Sequence, residues 1–184
     1  MVILDIFKKN SKTKLVLLVT LLSVLTIIII ISKIKTTIET NLRKSVLESM
    51  EHKKENYLKD IKFHERNLII KLRLINRYTD LKKLLYKKNI RDLYKSIKPI
   101  FDDLKNSTNI SHLYFHSINK VNILRVHHYA KMGDIINRET LDRAVLTNKN
   151  SCGVEIGVLG TLTLRCVMPY RYKNKLIGFI ELGK

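Results

Sequence analysis

The residues best placed to do chemistry lie together near the C-terminal end: Gly153, Glu155, Gly157, Thr161, Thr163 and Arg165. A three-residue loop of Val158, Leu159 and Gly160 would put Gly160 at the left-handed position that such hairpin loops reserve for glycine. It would also pair Gly157 with Thr161, Glu155 with Thr163 and Gly153 with Arg165. Side chains alternate along a strand, so these six residues share one face. Cys152, Val154, Ile156, Leu162, Leu164 and Cys166 share the other, which is expected to seal a core. A carboxylate, a guanidinium and two hydroxyls beside two glycines make the floor of a small polar pocket. Its chemistry is charge recognition, since Glu155 and Arg165 are diagonal neighbours that either lock the fold as an ion pair or contact a ligand. Arg125, on a strand over residues 121–129, and Asp134, after Gly133, complete the candidate ligand-binding set of Arg125, Asp134, Glu155 and Arg165.

The chain carries no nucleophile motif, phosphate loop or paired-carboxylate signature, so no catalytic residue and no cofactor are expected. His112, His116, His127 and His128 have poor metal-ligand spacing, because residues four apart on a strand stand about 13 Å apart and His127 and His128 would point to opposite faces. No metal site is expected. The hairpin register sets Cys152 opposite Cys166, the only two cysteines. They could bridge in an oxidising compartment, but two small residues on a core face suffice as an explanation, and free thiols are the favoured reading.

The elements that must position these residues begin at a membrane. Residues 15–31 are uncharged and apolar, and at 1.5 Å per residue they reach about 26 Å, near the thickness of a hydrocarbon core. Lys8, Lys9, Lys12 and Lys14 precede the run, as in a signal peptide, but Ser32-Lys33-Ile34-Lys35 offers no small-x-small cleavage site. The reading is a transmembrane helix over residues 15–34 behind a cytoplasmic N-terminus of residues 1–14. Lys33, Lys35, Arg43 and Lys44 nearly balance the lysines before it, so charge alone leaves orientation open. The formal charge of +19 comes without an arginine-rich patch or zinc-finger spacing, and is read as a solvated lysine surface rather than a nucleic-acid interface.

Beyond the span, apolar residues at Ile34, Ile38, Leu42, Val46 and Met50, then Leu58, Ile61, Leu68, Leu72 and Ile75, predict one long helix to about Tyr78. A second helical region follows over residues 80–105, with Pro99 as an entry or kink and a basic face from Lys82 to Lys98. All six glycines lie beyond residue 132, where turns and close approaches need them. From residue 110 the pattern becomes strand, strand, a short helix over residues 138–147, then three strands. That order predicts an α+β lobe, an antiparallel PAS-like sheet carrying a helix, over residues 110–184, with residues 35–109 as helical stalk and second helix.

Leu124-Arg125-Val126-His127, Lys131-Met132-Gly133-Asp134, Ser151-Cys152-Gly153-Val154-Glu155-Ile156-Gly157, Leu164-Arg165-Cys166-Val167-Met168-Pro169 and Ile177-Gly178-Phe179-Ile180-Glu181-Leu182-Gly183 together resemble the double Cache sensory domains, third subclass, of bacterial sensor kinases and chemoreceptors. The resemblance covers the membrane-distal lobe only, about residues 78–184. It departs from the family near Tyr129 and Ala130, where a proline is common, and at Cys152, where a small residue is usual. The resemblance implies a single-pass protein of the bacterial inner membrane whose C-terminal domain is periplasmic and binds a small polar or charged ligand. It further implies a membrane-proximal lobe, a second span and a signalling module, so a chain ending at Lys184 is expected to be truncated before its output or to work as a separate subunit. A homodimer or a receptor partner is compatible with the stalk. The rival reading is a noncatalytic membrane-tethered protein whose basic helices meet acidic lipids or a partner receptor.

Overall fold

The computed structural model describes residues 11–157 and 160–184; residues 1–10, Val158 and Leu159 lie outside it, and with them most of the expected cytoplasmic N-terminus and two of the three hairpin-loop residues. The chain divides into two compact units between Tyr57 and Leu58. One helix, α1, runs over Ser11–Ile75. Up to residue 57 every described residue of it is exposed. An 18-residue window there has a mean hydropathy of 3.0 and no buried residue, which makes α1 the one helix among the described residues long and apolar enough to cross a membrane. The three hydroxyls of its apolar run bond within the helix, Thr20 Oγ1 donating to the Leu17 carbonyl at 2.9 Å, Ser23 Oγ to the Thr20 carbonyl at 2.8 Å and Thr26 Oγ1 to the Ser23 carbonyl at 2.8 Å, as an apolar surrounding requires.

The second unit, Leu58–Lys184, contains the sheet. The expected second helical region is two helices, α2 over Thr79–Tyr86 and α3 over Ile90–Thr108. The break falls at Lys88, in the left-handed region at φ 56°. Asn89 then starts α3, its side chain accepting the Asp92 N–H at 3.3 Å and donating to Asp92 Oδ2 at 2.7 Å. Pro99 neither begins nor ends a helix; α3 passes through it, held by Leu93, Ile97 and Phe101 in the core.

Five strands follow: β1 His112–His116, β2 Asn122–Arg125, β3 Ser151–Ile156, β4 Leu162–Tyr172 and β5 Lys175–Gly183, with helix α4, Glu139–Thr147, between β2 and β3. The sheet order is β2-β1-β5-β4-β3 and every neighbouring pair is antiparallel. One face packs Leu113, Phe115, Leu124, Cys166, Met168, Ile180 and Leu182 against Leu68, Leu72 and Ile75 of α1 and the buried residues of α2 and α3. The other face is shared: its lower part holds Val167 and Phe179 against Leu141 and Ala144 of α4, and its upper part is polar.

The β3–β4 register is the one read from the sequence, with Glu155 opposite Thr163 and Gly153 opposite Arg165. Gly157 donates its N–H to the Thr161 carbonyl at 2.7 Å, and Gly160 sits at φ 75°. Three expectations need correction. β2 is only four residues long, because the chain turns after Arg125 instead of extending to Tyr129. The apolar face of the hairpin seals the core only at its base: Leu164 and Cys166 are buried, whereas Val154, Ile156 and Leu162 are exposed toward the hairpin tip, where β4 has run past the end of β5. Cys152 and Cys166 are not free thiols but a disulfide, their Cα atoms 4.2 Å apart across the ladder.

Candidate ligand-binding site

The polar half of the second face is built by strand parity. Tyr114 pairs with Glu181, and Arg165 with Gly183, so His112, Tyr114 and His116 of β1, Glu181 of β5 and Arg165 of β4 rise on the same side. Glu181 is fully buried. Its carboxylate accepts from three donors: Arg165 Nη1 at 2.7 Å, Arg138 Nη1 at 2.8 Å and His116 Nε2 at 2.9 Å. Burial pushes the Glu181 carboxyl up, but the His116 hydrogen bond and the charges of His116, Arg138 and Arg165 more than offset it and hold it at about 2.

Arg125 is fixed from the other side. Its Nη1 donates to the Lys131 carbonyl and its Nη2 to Asp134 Oδ2, both at 2.8 Å. Asp134 also accepts from Asn122 Nδ2 at 3.0 Å. Partial burial pushes the Asp134 carboxyl up, and the Asn122 and Arg125 hydrogen bonds bring it below its ordinary value. The guanidiniums of Arg125 and Arg138 lie 5.2 and 5.1 Å from the ring centre of Tyr114, within cation–π range.

These side chains surround a cavity of about 380 Å³ lined by His112, Tyr114, Arg125, His127, His128, Lys131, Arg138, Gly157, Thr161, Thr163 and Arg165. Four of the lining side chains are permanent cations and none is acidic. Of the four residues read from the sequence, Arg125 and Arg165 line the cavity, while Asp134 and Glu155 stand behind them. Asp134 serves Arg125. Glu155 Oε2 lies 3.5 Å from Arg165 Nε, and its Oε1 accepts the Thr140 N–H at 2.8 Å, which caps the N-terminus of α4 from a neighbouring strand. The space expected beside Gly153 belongs to that helix: a Cβ there would meet Arg143 Nη2 at 3.2 Å and Thr140 Cγ2 at 3.3 Å. Gly157 does border the cavity.

Sequence reasoning missed Arg138, Lys131, Glu181 and the histidines. His127 and His128 do not face opposite ways. The turn after Arg125 brings both to the cavity, and the β1–β2 pairing sets the His127 ring 4.6 Å from that of His112, nearly perpendicular to it. Burial first, then the Arg165 charge, lowers His112 to about 4; burial, then His112 and Arg125, lowers His127 to about 3. Among the described residues no group of three His, Cys, Asp or Glu side chains is placed to hold a metal ion.

A pH dependence follows. An imidazole held below the ordinary value of about 6.5 binds its proton more weakly folded than unfolded. Its stabilising contribution is therefore complete above that value and is lost as pH falls toward 4 for His112 and 3 for His127. Glu181, depressed to about 2 from 4.5, adds a loss in the same direction below pH 4.5. Urea titrations should find stability flat above about pH 7 and lower at pH 5 by on the order of 4 kcal/mol, about 2 kcal/mol from each imidazole; stability that rises on acidification to pH 5 would contradict the buried, neutral imidazoles.

No family model matches the chain, and no curated protein matches it in sequence. Solved structures do match. The sensor domain of DcuS from E. coli aligns with a TM-score of 0.55 and 14% identity, over 67% of this chain and 89% of that one. A domain of a sensory box/GGDEF family protein from Vibrio parahaemolyticus gives 0.57 at 12% identity over 68% and 54%. The sensor domain of the V. cholerae histidine kinase DctB gives 0.54 at 12% identity over 74% and 56%. This chain shares the fold of these sensor domains. This chain spans about half the length of the latter two solved domains. In this chain the cavity opens on the sheet face that carries α4, opposite the face covered by α1, α2 and α3.

Proposed function

We propose that this chain is the membrane-anchored, extracytoplasmic sensing part of a bacterial signalling receptor, noncatalytic and of the third double Cache subclass, and that its ligand is a small anion. The observation that carries the ligand class is the cavity wall, where Arg125, Lys131, Arg138 and Arg165 meet no acidic lining residue. The nearby carboxylates stand behind the wall: Asp134 is bonded to Arg125, Glu181 to Arg138 and Arg165, and Glu155 Oε2 lies 3.5 Å from Arg165 Nε. An amine or the ammonium of an amino acid would face four cations and no carboxylate on the lining, which the low dielectric of the site makes costly. An anion meets pre-oriented guanidiniums instead.

Residues 15–34 are the span in this reading, residues 35–109 the stalk and second helix, and residues 110–184 the sensing lobe. The Cys152–Cys166 disulfide supports an oxidising compartment for the lobe. A ligand-driven shift of the sheet would reach α1 through Leu68, Leu72 and Ile75, which pack behind it.

Thermal-shift screening of the full chain in detergent, against organic acids, sulfate, phosphate, amines and amino acids, tests the reading. Stabilisation should be confined to anions, worth about 2.7 kcal/mol at a hundred times Kd. Arg165→Ala should weaken the hit about ten- to a hundredfold, since a hydrogen bond to a charged group contributes about 1.5–3 kcal/mol. Lys131→Gln, at an exposed position, should weaken it several-fold without loss of fold. Hits among amines and none among anions would overturn the assignment.

A further inference from the structure

We propose that the cavity takes up its anion together with a proton, and that His112 is the group that receives the proton. The proposal rests on the reading that the ligand is an anion, and deepens it.

The hydrogen-bond partners give the two imidazoles different roles. His127 Nδ1 accepts the backbone N–H of Leu113 at 3.4 Å, so its ring hydrogen stands on Nε2. A second proton would have to enter at Nδ1 and break that bond. His127 is thus a fixed donor. His112 is held the other way: its Nδ1 lies 2.7 Å from Ser111 Oγ, and that hydroxyl has its own acceptor in the Gly183 carbonyl at 3.4 Å. We assign the Ser111 hydroxyl hydrogen to the Gly183 carbonyl, so that its oxygen accepts from the His112 Nδ1–H. His112 Nε2 keeps its lone pair, and among the described residues it has no hydrogen-bond partner. A proton placed there creates a donor and a positive charge on the cavity wall, where the anion binds.

The charges around the ring set the coupling. Tyr114 stacks on the same strand, its ring centre 6.1 Å away, and the His127 ring meets the ring edge-on at 4.6 Å. Arg165 on β4, Arg138 ahead of α4 and Arg125 on β2 repel an incoming proton, and Glu181 on β5 attracts it. Lys131 and His128, on the loop after β2, line the same cavity. Burial and this cationic surround keep the empty cavity's His112 unprotonated near neutral pH. An anion among the guanidiniums cancels the repulsion and supplies an acceptor for Nε2–H, so each ligand promotes the binding of the other.

Isothermal titration calorimetry of the full chain in detergent micelles decides the matter, with sulfate and pyruvate as probes in paired buffers of different ionisation heat. Both probes are fully ionised between about pH 6 and 8. The expected result is between half a proton and one proton taken up per anion at pH 6, with affinity tightening up to about tenfold for each pH unit lowered from 8 to 6. His112→Asn should bind with no proton uptake, and His127→Asn should bind more weakly while uptake persists. Binding with less than half a proton taken up, or uptake that survives in His112→Asn, overturns the proposal and leaves the anion reading standing. Failure of both probes to bind at any pH overturns both. Proton counts on the native chain decide the question even where a variant does not fold.

Discussion

Glu181→Gln is expected to lose about 3–5 kcal/mol of stability, the usual cost of breaking a buried ion pair by removing one partner. The side chain is completely buried and gathers His116, Arg138 and Arg165 on two oxygens. An amide offers one acceptor where three donors converge, and its N–H groups face donors. Arg165, itself 3% exposed, would then keep its charge with only the more distant Glu155 to offset it. Equilibrium urea unfolding at pH 7 measures the loss. Adding Arg165→Met to Glu181→Gln should recover part of it, because the orphaned cation is removed, and the two changes should be clearly non-additive. A loss below about 1 kcal/mol in Glu181→Gln would show that the carboxylate does not organise the site.

Gly178→Ala is expected to cost about 2–5 kcal/mol, combining backbone strain with a forced overlap in packed structure. Gly178 lies at φ 150°, and a Cβ there would overlap the backbone oxygen of His116. The obstacle is main chain at the β1–β5 pairing, where His116 faces Phe179, so no rotamer change relieves it. Moving His116 also moves the ring that donates to Glu181, and the substitution should therefore disturb the charged cluster as well as the sheet. Gly133→Ala serves as the comparison. Its φ is 92°, yet nothing lies within 4 Å of the added atom, and it should cost only about 1–2 kcal/mol. Similar losses for the two variants would contradict the close approach at Gly178.

The hairpin was legible in the sequence because two local signals agree: strict alternation from Cys152 to Cys166 and a glycine where a three-residue loop needs one. Its register in turn placed Arg165 on the cavity side and set the cysteines opposite one another. Their bonding was missed because a core role for small residues explains the same positions. Glu181 was visible only as a charge inside the apolar run of residues 177–182, a signal of buried pairing that was not taken up. Its partners lie 65, 43 and 16 residues away in sequence, and they converge only because β5 occupies the middle of the sheet. The His112–His127 contact depends in the same way on a β1–β2 pairing and on a turn after Arg125 that no glycine or proline marks. The split between α2 and α3 also lacks such a marker, since Lys88 takes the left-handed conformation without being glycine.

The claim that the cationic cavity is the ligand site is most directly tested by nitrogen-resolved NMR of the histidine side chains in the full chain, with and without the anion that gives the largest thermal shift. The six histidines divide by position: His112, His127 and His128 line the cavity, His116 is bonded to the buried Glu181, and His52 and His64 lie on α1. The expected result is that His112 and His127 shift on titration, with saturation at the same anion concentration, and that His52 and His64 stay unmoved. Shifts confined to His64, or saturable binding that leaves His112 and His127 unchanged, would contradict it.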